Sequence, residues 1–159
     1  MNLARRLFAL TLPYAPLARR LLPLAALATL LGIGLQFVFA GMGVFGATFA
    51  GVRGFDFHFW MGGVIHALLG LVLALAIVGR QPRALIAING ALFAVATVMM
   101  GLPRLTTVEL RAMHPLGALF VFWLTYVVYQ RARAAQLATA SKSASADVPE
   151  TAPAFNPAS

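Results

Sequence analysis

The sequence contains no cysteine, and this absence removes several classes of site at once. Without thiols there is no disulfide, no thiolate metal ligand and no Cys-x-x-Cys-His motif for covalent haem attachment. Acidic residues are almost as scarce, with four Asp and Glu in 159 residues. Paired carboxylates, a Ser-His-Asp set, a Walker loop and a dinucleotide fingerprint are all missing. The sequence therefore favours no enzymatic activity of its own.

Charged residues of any kind are few. They make up 10% of the chain, against 61% hydrophobic residues, whereas a soluble domain carries about 25% charged residues. This composition is that of an integral membrane protein. The 12 basic residues cluster at the ends of apolar runs and form no groove with stacking aromatics, which argues against nucleic acid as a partner. The expected partners are the lipid bilayer and either a membrane protein or further copies of this chain.

Four apolar runs are each close to the roughly 20 residues that cross a bilayer as a helix. They predict helices at 21–43, 57–78, 84–102 and 112–129. Helix is preferred over strand because unpaired sheet edges are not tolerated in hydrocarbon. Short connections predict an all-α, up-down-up-down bundle of four transmembrane helices, in which helices two and four are diagonal.

Basic residues in the connections predict the orientation of the bundle. Nine of them fall on one side, which is then cytoplasmic, so both termini are predicted inside the cell. The excess of arginine over lysine is typical of a GC-rich bacterial genome, so we expect the bacterial cytoplasmic membrane. The cytoplasmic set is Arg5, Arg6, Arg19, Arg20, Arg80, Arg83, Arg131, Arg133 and Lys142.

The segments outside the apolar runs are predicted to behave differently from the bundle. Residues 1–20 are basic and partly amphipathic, which predicts a segment lying at the membrane interface. A cleaved signal peptide ending near Ala40 is the alternative. Residues 21–133 are the four-helix domain. Residues 134–159 are rich in Ala, Ser and Pro and predict a disordered tail.

Two histidines are predicted at the same depth near the outer face. His58 lies two residues inside Asp56 and His114 lies three residues inside Arg111. Side chains at equal depth on diagonal helices face each other across the bundle, an arrangement suited to axial ligation of a planar cofactor. His58 and His114 are therefore candidate metal ligands.

Glycines near both histidines favour the same interpretation. Gly62 follows His58 by four residues and Gly117 follows His114 by three, so each shares a helix face with its histidine. A macrocycle could lie against backbone at these positions. The alternative is that histidines near helix ends bind water or loop carbonyls, and that small residues in membrane helices serve helix packing.

A third histidine, His66, lies about 12 Å deeper than His58 at 1.5 Å per residue. At that depth no other histidine is expected. Gln36 of helix one should lie at a similar level, so a hydrogen bond between Gln36 and His66 is predicted. An ionisable residue inside a membrane is a functional candidate by default, so His66 remains a second candidate for cofactor binding.

The stretches "FHFWMGG" and "MHPLGALF" resemble a group of small bacterial four-helix membrane proteins that have His-x-x-x-Gly at the start of helix two and His-Pro at the start of helix four. The layout is similar, more distantly, to one half of haem A synthase and to the four-helix b-type cytochromes. That resemblance implies haem b held by axial histidines on helices two and four, here His58 and His114. Haem A synthase has two such bundles and an Arg where this chain has Phe59.

Three functions follow as expectations. The first is a small b-type cytochrome or haem-binding subunit for electron transfer or haem handling, with bacteriochlorophyll as a cofactor of equivalent geometry. The second is a cofactor-free structural or accessory subunit that packs against partner proteins through its Gly-rich faces. A transporter is weaker, because one bundle has no inverted repeat.

Overall fold

The computed structural model describes residues 11–102 and 107–146, which form four long helices and one small hairpin. The predicted all-α, four-helix fold is confirmed. In chain order the elements are a 3-10 helix (Leu12–Tyr14), α1 (Ala15–Val44), β1 (Thr48–Phe49), β2 (Val52–Arg53), α2 (Gly54–Val78), α3 (Arg83–Gly101) and α4 (Val108–Ala146).

All four helices are long and apolar enough to cross a bilayer. Their apolar residues continue around each helix, and large side chains such as Trp60, Leu71 and Trp123 remain exposed on the outside of the bundle. A helix that is apolar on every side belongs in hydrocarbon rather than in water. The chain is therefore a multi-pass membrane protein whose outer surface contacts lipid.

The helices pack in a ring. Each one packs extensively against the next in the chain, and α4 returns to pack against α1. Consequently α2 lies diagonally opposite α4, as the short connections predict. The central space is filled by a core in which Leu22, Leu69, Val72, Leu92 and Val128 are fully buried.

Polar side chains in the core bond to their own helices. Thr29, Asn89 and Thr125 are buried, and each donates to the backbone carbonyl four residues earlier, at 2.8, 2.8 and 2.7 Å respectively. No water is available at this depth, so a local acceptor is the cheapest partner for such a donor. These donors are therefore satisfied within their own helices, and none of the three residues lines the candidate site described below.

The close approach of α1 and α2 at their hairpin end depends on glycine. A Cβ atom on Gly54 would collide with the backbone nitrogen of Gly43 and would lie 2.7 Å from the carbonyl carbon of Met42. A Cβ atom on Gly43 would lie 2.5 Å from the ring of Phe55. These contacts bring the last turns of α1 against the first turns of α2, where His58 lies.

The interfacial segment predicted at 1–20 is in part the beginning of α1. The helix starts at Ala15, six residues before the predicted boundary at residue 21, and Pro16 occupies its first turn, where a missing N–H costs nothing. Arg19 then donates from Nε to the carbonyl oxygen of Gly79 at 2.7 Å. Residues 15–20 are thus fixed to the end of α2, and residues 1–10 lie outside the described residues.

The tail predicted at 134–159 also differs. Helix α4 continues to Ala146, so residues 134–146 are helical. Alanine, glutamine and leucine make up residues 134–138, and all are strong helix formers even where packing is absent. The prediction of disorder was based on the small number of large apolar residues. That number indicates how much of a segment can be buried, but not its helix propensity. Residues 147–159 lie outside the described residues.

Candidate cofactor site

His58 and His114 face each other between the diagonal helices α2 and α4. Their ring centroids are 6.0 Å apart and the ring planes meet at 69°. Both side chains are half-buried. The juxtaposition predicted from matched depth is therefore confirmed. The reason is geometric: equal distances from the same membrane face place the rings at one level, and the diagonal arrangement turns them toward each other.

Each of the two histidines is held by a backbone carbonyl of a neighbouring helix. The Nδ1 atom of His58 lies 3.2 Å from the carbonyl oxygen of Gln36 on α1. The Nδ1 atom of His114 lies 3.0 Å from the carbonyl oxygen of Met99 on α3. A carbonyl oxygen only accepts, so Nδ1 must carry the proton in both rings. The tautomer with its proton on Nδ1 leaves the lone pair of Nε2 for a metal.

The carbonyl of Met99 is available for a reason visible in the sequence. Met99 belongs to the last turn of α3, where carbonyls have no helical partner. The residue four positions later is Pro103, which has no N–H to donate. The carbonyl of Gln36 lies inside α1, but its second lone pair can accept a further hydrogen. The sequence predictions include neither acceptor, although Pro103 indicates that the carbonyl of Met99 lacks a helical donor.

A cleft of about 170 Å³ opens beside the two histidines. All four helices line it, and its walls are mainly apolar. Its polar groups come from His58, His66, His114 and Gln36. An engineered protein cavity of about 150 Å³ accepts benzene. The cleft thus holds a group of about one aromatic ring without rearrangement of the helices.

The hydrogen bond predicted between Gln36 and His66 is not formed. Both side chains line the cleft, but Oε1 of Gln36 and Nδ1 of His66 are buried without a hydrogen-bond partner among the described residues. The His66 ring instead packs on Phe93, with centroids 4.6 Å apart and an interplanar angle of 31°. Depth along the helices was a sound guide to level, but it could not fix the direction in which each side chain points.

The two glycines of the predicted cradle face flexible side chains. Gly62 lines the cleft, and a Cβ atom there would lie 3.3 Å from Nε2 of Gln36. At Gly117 a Cβ atom would collide with the sulfur of Met99 and lie 2.8 Å from its Cε atom. Both glycines therefore leave space beside the histidines, and this space holds the ends of Gln36 and Met99.

Ligands for a bare metal ion are too few in the parts of the chain that the structure describes. No three His, Asp or Glu side chains there lie close enough to share an ion. Asp56, two positions before His58, is exposed and accepts two hydrogen bonds from Arg53, at 2.9 and 3.1 Å. The histidine pair supplies two ligands, so any metal between them must bring its other ligands with it.

Comparison with known proteins does not add to these observations. No protein-family model, no curated protein sequence and no solved structure matches this chain. The fold and the residues themselves therefore carry the functional argument. They show a multi-pass membrane protein in which four helices enclose a histidine pair.

Proposed function

We propose that this protein binds b-type haem between α2 and α4, with His58 and His114 as the axial ligands, and that it serves in electron transfer or haem handling in a bacterial cytoplasmic membrane. The observation that carries the proposal is the pair of matching imidazoles. Each donates Nδ1–H to a backbone carbonyl and keeps Nε2 for a metal.

The donor set suits haem iron better than a free ion. A haem brings four equatorial nitrogens of its own and needs only two axial ligands from the protein. That is the number of imidazoles this site offers, whereas a structural zinc site takes four protein ligands. The resemblance to four-helix b-type cytochromes points to the same two helices.

The size of the cleft sets a condition on this proposal. A tetrapyrrole is larger than the enclosed 170 Å³, so the side chains of Gln36 and Met99 must move from the spaces beside Gly62 and Gly117. Both are long and unbranched, and methionine adapts readily to new surroundings.

The chain's own residues would do three things for such a group. His58 and His114 would hold it, and the carbonyls of Gln36 and Met99 would orient the two imidazoles. The apolar walls would keep water from it. Haem itself supplies reversible one-electron oxidation and reduction.

The test is the visible spectrum of the protein purified in mild detergent from cells supplied with haem, first oxidised and then reduced with dithionite. We expect a Soret band and sharp reduced α and β bands. His58→Ala and His114→Ala should lose them, whereas His66→Ala, a matched change in the same cleft, should retain them.

Other outcomes would overturn the proposal in different ways. Loss of the bands in His66→Ala, with the bands retained in His58→Ala, would show that His66 and not His58 is the ligand on α2. Absorption bands at the long wavelengths typical of a bacteriochlorophyll would show that the bound cofactor is that pigment and not haem. A colourless wild-type protein would refute cofactor binding and leave the accessory subunit as the function to test.

A further inference from the structure

The connection between α1 and α2 carries almost no polar side chain. Its residues 45–52 have the sequence FGATFAGV, in which Thr48 has the only polar side chain and no residue is charged, whereas a connection that faces water is usually polar. The chain also turns sharply here. Ala50 and Gly51, between β1 and β2, have φ angles of +50° and +79°, and the type I′ turn of a two-residue hairpin requires positive values at both positions. We refer to residues 45–53 as the α1–α2 hairpin.

The α1–α2 hairpin has one apolar face and one polar face. Its strands pair Phe49 with Val52 and Thr48 with Arg53. Residues that pair across two strands lie on the same face, and successive residues of a strand lie on opposite faces. Phe49 and Val52 therefore form the apolar face. Thr48 and Arg53 form the polar face, where Arg53 donates two hydrogen bonds to the carboxylate of Asp56.

Backbone hydrogen bonds fix the hairpin to both helices. The amide of Ala47 donates to the carbonyl oxygen of Met42 in α1 at 2.8 Å. The amide of Gly54, the first residue of α2, donates to the carbonyl oxygen of Ala47 at 3.2 Å. The close packing of Gly43 against Gly54 holds the same two helix ends together. The direction of the apolar face is therefore set by α1 and α2.

Aromatic rings connect the apolar face to the membrane-spanning part of the bundle. The ring of Phe49 meets the ring of Phe57 on α2 edge-on, with centroids 6.0 Å apart. The ring of Phe57 stacks on Phe39 of α1, with centroids 5.0 Å apart. Phe39 lies five residues before the end of α1 at Val44, which is about 8 Å along the helix. The apolar face is thus turned toward the membrane-spanning segments of α1 and α2.

Packing on the bundle leaves much of the apolar surface of the hairpin uncovered. Phe49 is 63% exposed and Val52 is 40% exposed, and Phe45, which precedes the strands, is 88% exposed. A two-stranded hairpin is at best marginally stable by itself in water, so this surface needs a cover. Phe55 and Trp60, in the first two turns of α2, are exposed as well. The lipid that surrounds these turns is therefore the nearest cover for the hairpin.

We propose that the apolar face of the α1–α2 hairpin is embedded in the interfacial region of the bilayer leaflet at this end of the bundle. Like an amphipathic helix, it lies in the plane of the interface, with its apolar side chains about 5–10 Å into the boundary between head groups and acyl chains. Its polar face is in contact with head groups and water. Lipid is favoured over a second copy of this chain, because the hairpin extends a surface that lipid already covers. The proposal does not depend on whether the bundle holds haem.

The test is tryptophan fluorescence of the full-length protein in phosphatidylcholine nanodiscs. The chain has two tryptophans, so a Trp60→Phe/Trp123→Phe background has none. In that background Phe49→Trp places a single tryptophan on the apolar face, and Thr48→Trp places one on the polar face. We expect Phe49→Trp to lose most of its emission when the lipid is brominated near the head-group end of its acyl chains, and to be little quenched by aqueous acrylamide. Thr48→Trp should show the opposite pattern.

Two checks separate position from misfolding. Circular dichroism should give equal helix content for every variant compared, and Val52→Trp is a second reporter on the apolar face if Phe49→Trp changes the fold. Equal quenching of Phe49→Trp and Thr48→Trp by acrylamide, with no effect of brominated lipid, would place the hairpin in water and refute the proposal. Protection of Phe49→Trp from both quenchers would also refute it, because protein and not lipid would then cover the apolar face.

Discussion

The buried Nδ1 atom of His66 allows a quantitative prediction about the free energy of unfolding. This atom has no hydrogen-bond partner within residues 11–102 and 107–146, while the ring of His66 packs on Phe93 at a centroid distance of 4.6 Å. Leaving a buried polar group unsatisfied costs about 1–3 kcal/mol. His66→Phe removes that nitrogen and keeps an aromatic ring, and the adjoining cleft has room for the larger side chain. We expect a gain in the free energy of unfolding of about 1–2 kcal/mol, since part of the penalty is offset by repacking.

The assay is thermal unfolding in detergent, followed by circular dichroism. A gain of this size should raise the Tm by about 2–8 °C for a chain of this length. His66→Ala is the control, because it removes the nitrogen together with the packing on Phe93 and should lower the Tm. If His66→Phe lowers the stability by more than about 1 kcal/mol, beyond the usual effect of a neutral change, the nitrogen has a partner in the folded protein and the reasoning fails.

Two further predictions concern packing. Gly54→Ala should destabilise the protein by about 3 kcal/mol, because the new methyl group meets the backbone of α1. Gly63→Ala is the control, because its methyl group meets nothing within 4 Å, and it should not lower the Tm. An equal decrease in Tm in the two variants would contradict this explanation. Gly117→Ala should cost about 1 kcal/mol in the wild type and less in a Met99→Ala background, as measured by a double-mutant cycle.

The candidate site was predictable in part. His58 and His114 could be paired from the sequence because charged residues mark the ends of apolar helices and each further residue adds a fixed rise. Their hydrogen bonds could not be, because the acceptors are backbone carbonyls of α1 and α3. The identity of a side chain does not show whether the backbone carbonyl of the same residue is free to accept a hydrogen bond. Pro103, four residues after Met99, has no N–H and so indicated that the carbonyl of Met99 could accept another donor.

His66 shows the limit of the same argument. Its depth was predicted, but its partner was not, because hydrogen bonding depends on the direction of the side chain as well as on its level. Phe93, which packs on it, comes from α3 and has no relation to His66 in the sequence pattern. The extension of α4 to Ala146 escaped prediction for a different reason, since composition assigned that stretch to a tail.

The sequence by itself determined the membrane setting, the number and order of the helices and the level of each histidine. These properties follow from composition, from run length and from counting along a helix, all of which are local. Only the tertiary structure decided which carbonyls hold the imidazoles and which side chains fill the spaces beside Gly62 and Gly117. Those properties depend on how helices are rotated and spaced against each other, and the packing of distant residues sets both.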